Sequence, residues 1–67
     1  MLKVLVEEIE IDDDQVELQN TGFGFIRFDV RDLSVGGIKF SLPQMTSQQA
    51  RNLSEALERM AHYAENN

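Results

Sequence analysis

MTSQQARNLSEALERMAHYAE, residues 45–65, announces one long helix at the end of a chain whose earlier punctuation is all β. Thr46 has the side-chain oxygen that satisfies a free N–H at a helix start, Gln49 three positions on completes a capping box, and Met45 stands where a hydrophobic staple packs toward Ala50. Beyond the cap, Ala50, Leu53, Leu57, Met60, Ala61 and Ala64 recur at spacings of three and four, while Arg51, Glu55, Glu58, Arg59 and His62 decorate the remaining surface. The spacing predicts an amphipathic helix over about 47–65, with Leu53, Leu57 and Met60 as the stripe that covers a sheet. The i, i+4 pairs Glu55–Arg59 and Glu58–His62 add about 0.3 kcal/mol each.

Upstream the apolar period is two. LKVLVEEIEI at residues 2–11 is strand-like, with apolar groups on both parities, so either both faces need cover or a bulge near Glu7-Glu8 switches them. Asp12-Asp13-Asp14 reads as a turn, since carboxylates bond their own backbone there, and Val16 and Leu18 alternate with Glu17 and Gln19 in a strand at 15–20. After Asn20-Thr21-Gly22 a third strand runs over 23–31, placing Ile26, Phe28 and Val30 on one face and Phe23, Phe25, Arg27, Asp29 and Arg31 on the other. Gly36-Gly37 marks a turn into a fourth strand at 37–42, which Pro43 ends. The fold class expected is α+β: a single domain over 1–67, an antiparallel four-stranded meander of two hairpins, followed by one C-terminal amphipathic helix packed on one sheet face.

A chain of 67 residues buries proportionally little surface, and with no cysteine neither disulfides nor thiolate metal sites can reinforce it. Oligomerisation is the remaining reinforcement. The longest apolar run, Val4-Leu5-Val6, is far below the roughly 20 residues that span a bilayer. No basic-then-apolar leader opens the sequence, so a cytoplasmic protein without a membrane partner is expected.

The net charge of minus 6 lies wholly in the first 20 residues, where Glu7, Glu8, Glu10, Asp12, Asp13, Asp14 and Glu17 meet only Lys3; over residues 21–67 five acids balance five bases. Such a block repels nucleic acid and attracts a basic partner over distances that salt shortens. It also keeps a hairpin soluble and blocks strand-to-strand aggregation, a role that needs no partner.

The octamer Thr21–Phe28, TGFGFIRF, resembles the RNA-contacting octamer of RNA-recognition-motif domains: Gly22, Phe23, Gly24, Phe25, Ile26 and Phe28 fit, and Thr21 replaces the basic first residue. It is also similar to the Lys-Gly-Phe-Gly-Phe-Ile phrase of cold-shock domains, with Ile38-Lys39-Phe40 as a distant echo of their next strand. The resemblance implies single-stranded RNA or DNA stacking on Phe23 and Phe25, worth roughly 1–3 kcal/mol per base, with Arg27 and Arg31 extending the face. The rest of the chain departs from both families. The first strand, where the RNA-binding partner hexamer belongs, offers Val4–Ile9 with no aromatic and two acids, and no helix separates the first two strands. A cold-shock barrel has no place for the helix over 47–65.

No catalytic, cofactor or metal residues are assigned. His62 lies on the outer face of the helix beside Glu58, without a cysteine or a second histidine to work with. The carboxylates of 12–14 with Glu17 lack the alternating ligands and central glycine of a calcium loop, and Gly36-Gly37 lacks the Lys and Ser/Thr of a phosphate loop. The sequence therefore predicts a small acidic non-enzymatic protein-binding module. Its concrete form is an inhibitor that mimics nucleic-acid charge, by analogy of class with small phage-type inhibitors of defence enzymes: Glu7, Glu8, Glu10, Asp12, Asp13, Asp14 and Glu17 stand in for phosphates on the basic surface of a partner, such as a nucleic-acid-binding protein. Two alternatives remain: single-stranded RNA or DNA binding through Phe23, Phe25, Arg27 and Arg31, and a structural or assembly subunit. A homodimer is expected through the face that carries Phe23 and Phe25, and direct nucleic-acid binding is not.

Overall fold

The structure, a computed structural model, describes residues 5–66, so the part of the first predicted strand at 2–4 lies outside the described residues. The elements are β1 (Leu5–Ile11), β2 (Asp14–Asn20), β3 (Phe25–Asp32), β4 (Ile38–Ser41), β5 (Met45–Thr46) and α1 (Ser47–Glu65). The strands form an antiparallel meander in the order β1-β2-β3-β4, followed by one C-terminal helix, which is the α+β architecture expected.

Three turns depart from the sequence reading, each for a local reason. Ile11 lies opposite Asp14, so the first turn is Asp12-Asp13 alone and Asp14 belongs to β2. Asp12 takes φ 55°, the left-handed geometry that two-residue hairpins require and that Asp tolerates better than most residues. The register runs unbroken from Leu5–Asn20 to Ile11–Asp14, so no bulge switches the faces of β1. Leu5, Glu7, Ile9 and Ile11 share one face, and Val6, Glu8 and Glu10 the other.

The second turn corrects the start of β3. Gly22 and Gly24 both take φ 86°, a conformation that cannot continue a strand of L-residues. The Gly22 N–H donates to Asn20 Oδ1 (3.0 Å), the Phe23 N–H to Thr21 Oγ1 (3.3 Å), and the Thr21 hydroxyl to the Phe25 carbonyl (3.1 Å). Phe23 therefore sits in a self-bonded loop, 76% exposed, and the strand begins at Phe25.

At the third turn Asp32 organises the chain, its Oδ1 accepting from the Ser34 N–H (2.9 Å) and hydroxyl (2.6 Å) while Gly36 takes φ 80°. Arg31 lies opposite Ile38 but Val30 opposite Phe40, so Lys39 is the extra residue of a bulge in β4. Pro43 ends β4 but not the sheet edge. The chain resumes along β3 as β5, with Met45 opposite Ile26 where Ser41 lies opposite Asp29. Four steps on one side thus match three on the other, a second one-residue bulge that leaves Pro43 on an outer edge where its missing N–H costs nothing.

The helix begins as its cap predicts. The Gln49 N–H donates to Thr46 Oγ1 (3.2 Å) and the Thr46 N–H to Gln49 Oε1 (3.0 Å). Val16 and Val30, directly opposite one another on β2 and β3, are the buried residues of the described chain, flanked on the same face by Leu18, Ile26, Phe28 and Phe40. Ala50, Leu53 and Leu57 of α1 close on Leu18, Ile26, Phe28 and Met45 around an apolar crevice. The helix backbone comes close to the sheet only at β3 and β5, at the end of the face nearest the cap. Leu53 is half-buried, whereas Leu57 is 60% and Met60 61% exposed, so the predicted stripe covers the sheet only with its first half. The physical reason is the entry of the helix: it leaves β5 at one corner of the sheet, and a straight 19-residue rod carries its later turns away from that corner.

Candidate functional site

The seven acids of the first hairpin divide into two sets according to their distance from the centre of the sheet. Those on β2 are neutralised within the chain. Glu17 Oε2 accepts from Arg31 Nε at 2.7 Å, and Arg31 Nη1 also donates to the Gly36 carbonyl at 2.8 Å. Asp14 receives Lys39 Nζ on both oxygens, at 3.2 and 3.1 Å. These cations offset two like-charge pairs that the register creates, Glu8 opposite Glu17 and Asp14 opposite Asp32. The Asp14 carboxylate raises the Lys39 ammonium above its ordinary pKa, and the Ser34 hydrogen bonds hold Asp32 below the usual carboxylate value.

The acids on β1 and its turn stand differently. Among the described residues, Glu7, Glu8, Glu10, Asp12 and Asp13 make no ion pair; Glu8 Oε2 accepts only from Gln15 Nε2 (3.2 Å). β1 is the terminal strand of the sheet and every one of its residues is exposed. Glu7, on the helix side, and Glu8 and Glu10, on the other, thus flank a free strand edge, with Asp12 and Asp13 at its end. They form a continuous negative rim.

The residues proposed for base stacking are not assembled into a platform. Phe23 stands in the loop apart from Phe25. Arg27 Nη2 contacts Asp29 Oδ2 at 3.5 Å, Ser41 donates its hydroxyl to Asp29, and Arg31 is held by Glu17 and Gly36. Around Phe25 this face presents Gln15, Glu17, Gln19, Arg27, Asp29 and Arg31, with Val6 and Ile38 beside them, so the surface through which two sheets were expected to pair is mixed, its centre polar. Apolar side chains are exposed on both faces: Ile9 (50%), Ile11 (58%) and Phe40 (55%) on the helix side, Val6, Ile38 and Phe25 on the other.

Lys39 is the functional neighbour that sequence reasoning passed over, being one polar residue in an alternating strand. The signal that finds it is the meander itself, which brings β4 back toward the end of the first hairpin across 25 positions. Among the described residues no three His, Cys, Asp or Glu side chains gather to hold a metal ion, and no helix is long and apolar enough to cross a membrane. Comparison of the chain with protein-family models, with curated proteins and with solved structures finds no match.

Proposed function

We propose that the protein is a small acidic, non-enzymatic binding module that presents its free sheet edge to a basic surface of a partner protein, as a mimic of nucleic-acid charge. The observation that carries this reading is the division of the acids: Asp14 and Glu17 are neutralised inside the sheet, while Glu7, Glu8, Glu10, Asp12 and Asp13 make no ion pair among the described residues. Glu8 and Glu10 lie two residues apart on one face of β1, about 7 Å at ~3.3 Å per residue, with Glu7 on the other face of the same edge.

Such a rim accelerates encounter with a Lys/Arg-lined groove and fixes which way round the partners meet. Phosphate-binding grooves of nucleic-acid-binding proteins are the surfaces whose charge it complements. The module acts in the cytoplasm and as a homodimer, the form in which apolar surface left open on the single chain is covered. The single-stranded RNA or DNA reading draws less support, because Arg27 and Arg31 are engaged with Asp29 and Glu17.

The test is capture from lysate on the immobilised protein, washed from about 50 to about 300 mM salt with and without nuclease. Binding should be nuclease-resistant, fall steeply with salt, and disappear in a variant carrying Glu8→Gln, Glu10→Gln, Asp12→Asn and Asp13→Asn. A captured set that is indifferent to these neutral substitutions refutes the reading. Sub-micromolar binding of labelled single-stranded RNA or DNA, lost in Phe23→Ala with Phe25→Ala, would transfer the function to the other face.

A further inference from the structure

The single chain leaves a core half built. Its radius of gyration is 13.6 Å, against about 11 Å for a compact domain of this length. It exposes 5462 Å², where a folded monomer of its mass is expected to expose about 4300 Å². The excess, about 1100 Å², is comparable to the roughly 800 Å² that each partner contributes to a standard protein interface.

The open apolar surface on the helix side has two parts. One is the later half of the α1 stripe, where Leu57, 60% exposed, only borders the crevice over the sheet and Met60, 61% exposed, lies beyond it. The other is the far end of the sheet on the helix side, Ile9, Ile11 and Phe40, a sheet face with no helix above it. Each is the complement of the other, and both belong to the same chain.

We propose that a second copy of the chain covers this face, with the outer half of each α1 seated on the open sheet of its partner about a two-fold axis. This rests on the homodimer reading and gives it a surface. The arrangement is isologous, so both excess surfaces disappear in one closed contact and no further copy can add. Other self-associations are disfavoured by charge. Antiparallel pairing of β1 with its own copy brings the edge glutamates together, and the Phe25 face would bury Gln15, Glu17, Gln19, Arg27, Asp29 and Arg31.

Sedimentation of the whole chain at about 20 µM should give twice 7.7 kDa, with Met60→Glu shifting it to the monomer and Phe25→Glu leaving it a dimer. A wild-type monomer overturns the homodimer reading and this surface with it. A dimer that survives Met60→Glu and is lost with Phe25→Glu keeps the homodimer and overturns the surface. A second measurement needs no variant. Oxidation of Met60 by dilute peroxide, fast for a side chain 61% exposed in the single chain, should slow at least severalfold at dimer-forming concentrations and recover on dilution. Equal Met60 reactivity in dimer and monomer overturns the proposal.

Discussion

Val16→Ala is the substitution that tests where this small protein keeps its core. Val16 is 8% exposed and lies opposite Val30, 7% exposed, at the centre of the three-strand pairing. The change removes two buried carbon groups at about 0.8 kcal/mol each, and the unfilled space beside Val30 brings the cost to about 2 kcal/mol. A domain of this length has about 3–10 kcal/mol in total, so the loss is a large fraction of it. At roughly 4–8 °C per kcal/mol the melting midpoint should fall by about 8–16 °C. The assay is a far-UV circular dichroism melt at one fixed protein concentration, because association shifts the midpoint by mass action. Val35→Ala is the matched control: the same atoms leave a side chain 80% exposed at the tip of a turn, and the midpoint should move by no more than the scatter of surface substitutions, about 0.5 kcal/mol. Equal shifts for the two variants would refute the assignment of the core to the Val16–Val30 pair.

Two further outcomes follow from the turns and their charges. Asp12→Gly should leave the urea midpoint near the wild type, since glycine accepts φ 55° freely, whereas Asp12→Val should lower stability by about 1–2 kcal/mol; equal midpoints would mean that the turn is not of this geometry. The pH dependence has two limbs. Asp32, held below its ordinary value by Ser34, supports the fold above that value and stops doing so as pH falls through the lowered one. Lys39, raised by Asp14, contributes in full below its ordinary value of 10.5 and loses that contribution as pH rises through the raised one. Ser34→Ala should therefore flatten the acid limb and Lys39→Met the alkaline limb of melting midpoint against pH. Both effects are small because the groups are exposed, and unchanged limbs would disprove the linkage.

What was legible in the sequence is what local chemistry determines. The helix start at Ser47 follows from Thr46 and Gln49, three positions apart, and the hairpins follow from turns whose residues are adjacent. Features set by distant partners were not legible. β5 is two residues long and exists only because β3 offers a free edge beside it. The late start of β3 depends on Gly22 and Gly24 adopting positive φ, where an alternating pattern reads straight through Phe23. Periodicity also identified Leu57 and Met60 as residues that need cover, but it cannot say which sheet supplies it, and a helix leaving the corner of its own sheet cannot use that one.

The same limit applies to the acidic site, and there it sharpens the argument. Seven carboxylates in one block look equivalent in sequence, yet pairing over 14 positions to Arg31 and over 25 to Lys39 takes Glu17 and Asp14 out of the set. What remains lies along β1 and its turn, on the edge of the sheet. The apolar surface open on the helix side, Ile9, Ile11 and Phe40, lies on a face. A dimer closed through the helix-side face covers Ile9 and Ile11 of β1 and leaves Glu8 and Glu10, which point to the other face, outside the contact. On the proposed reading assembly uses Ile9, Ile11 and Phe40 while recognition uses Glu8, Glu10, Asp12 and Asp13, so neutralising these four acids should abolish partner capture while sedimentation still reports a dimer. Loss of both together would mean that the rim and the interface are one surface.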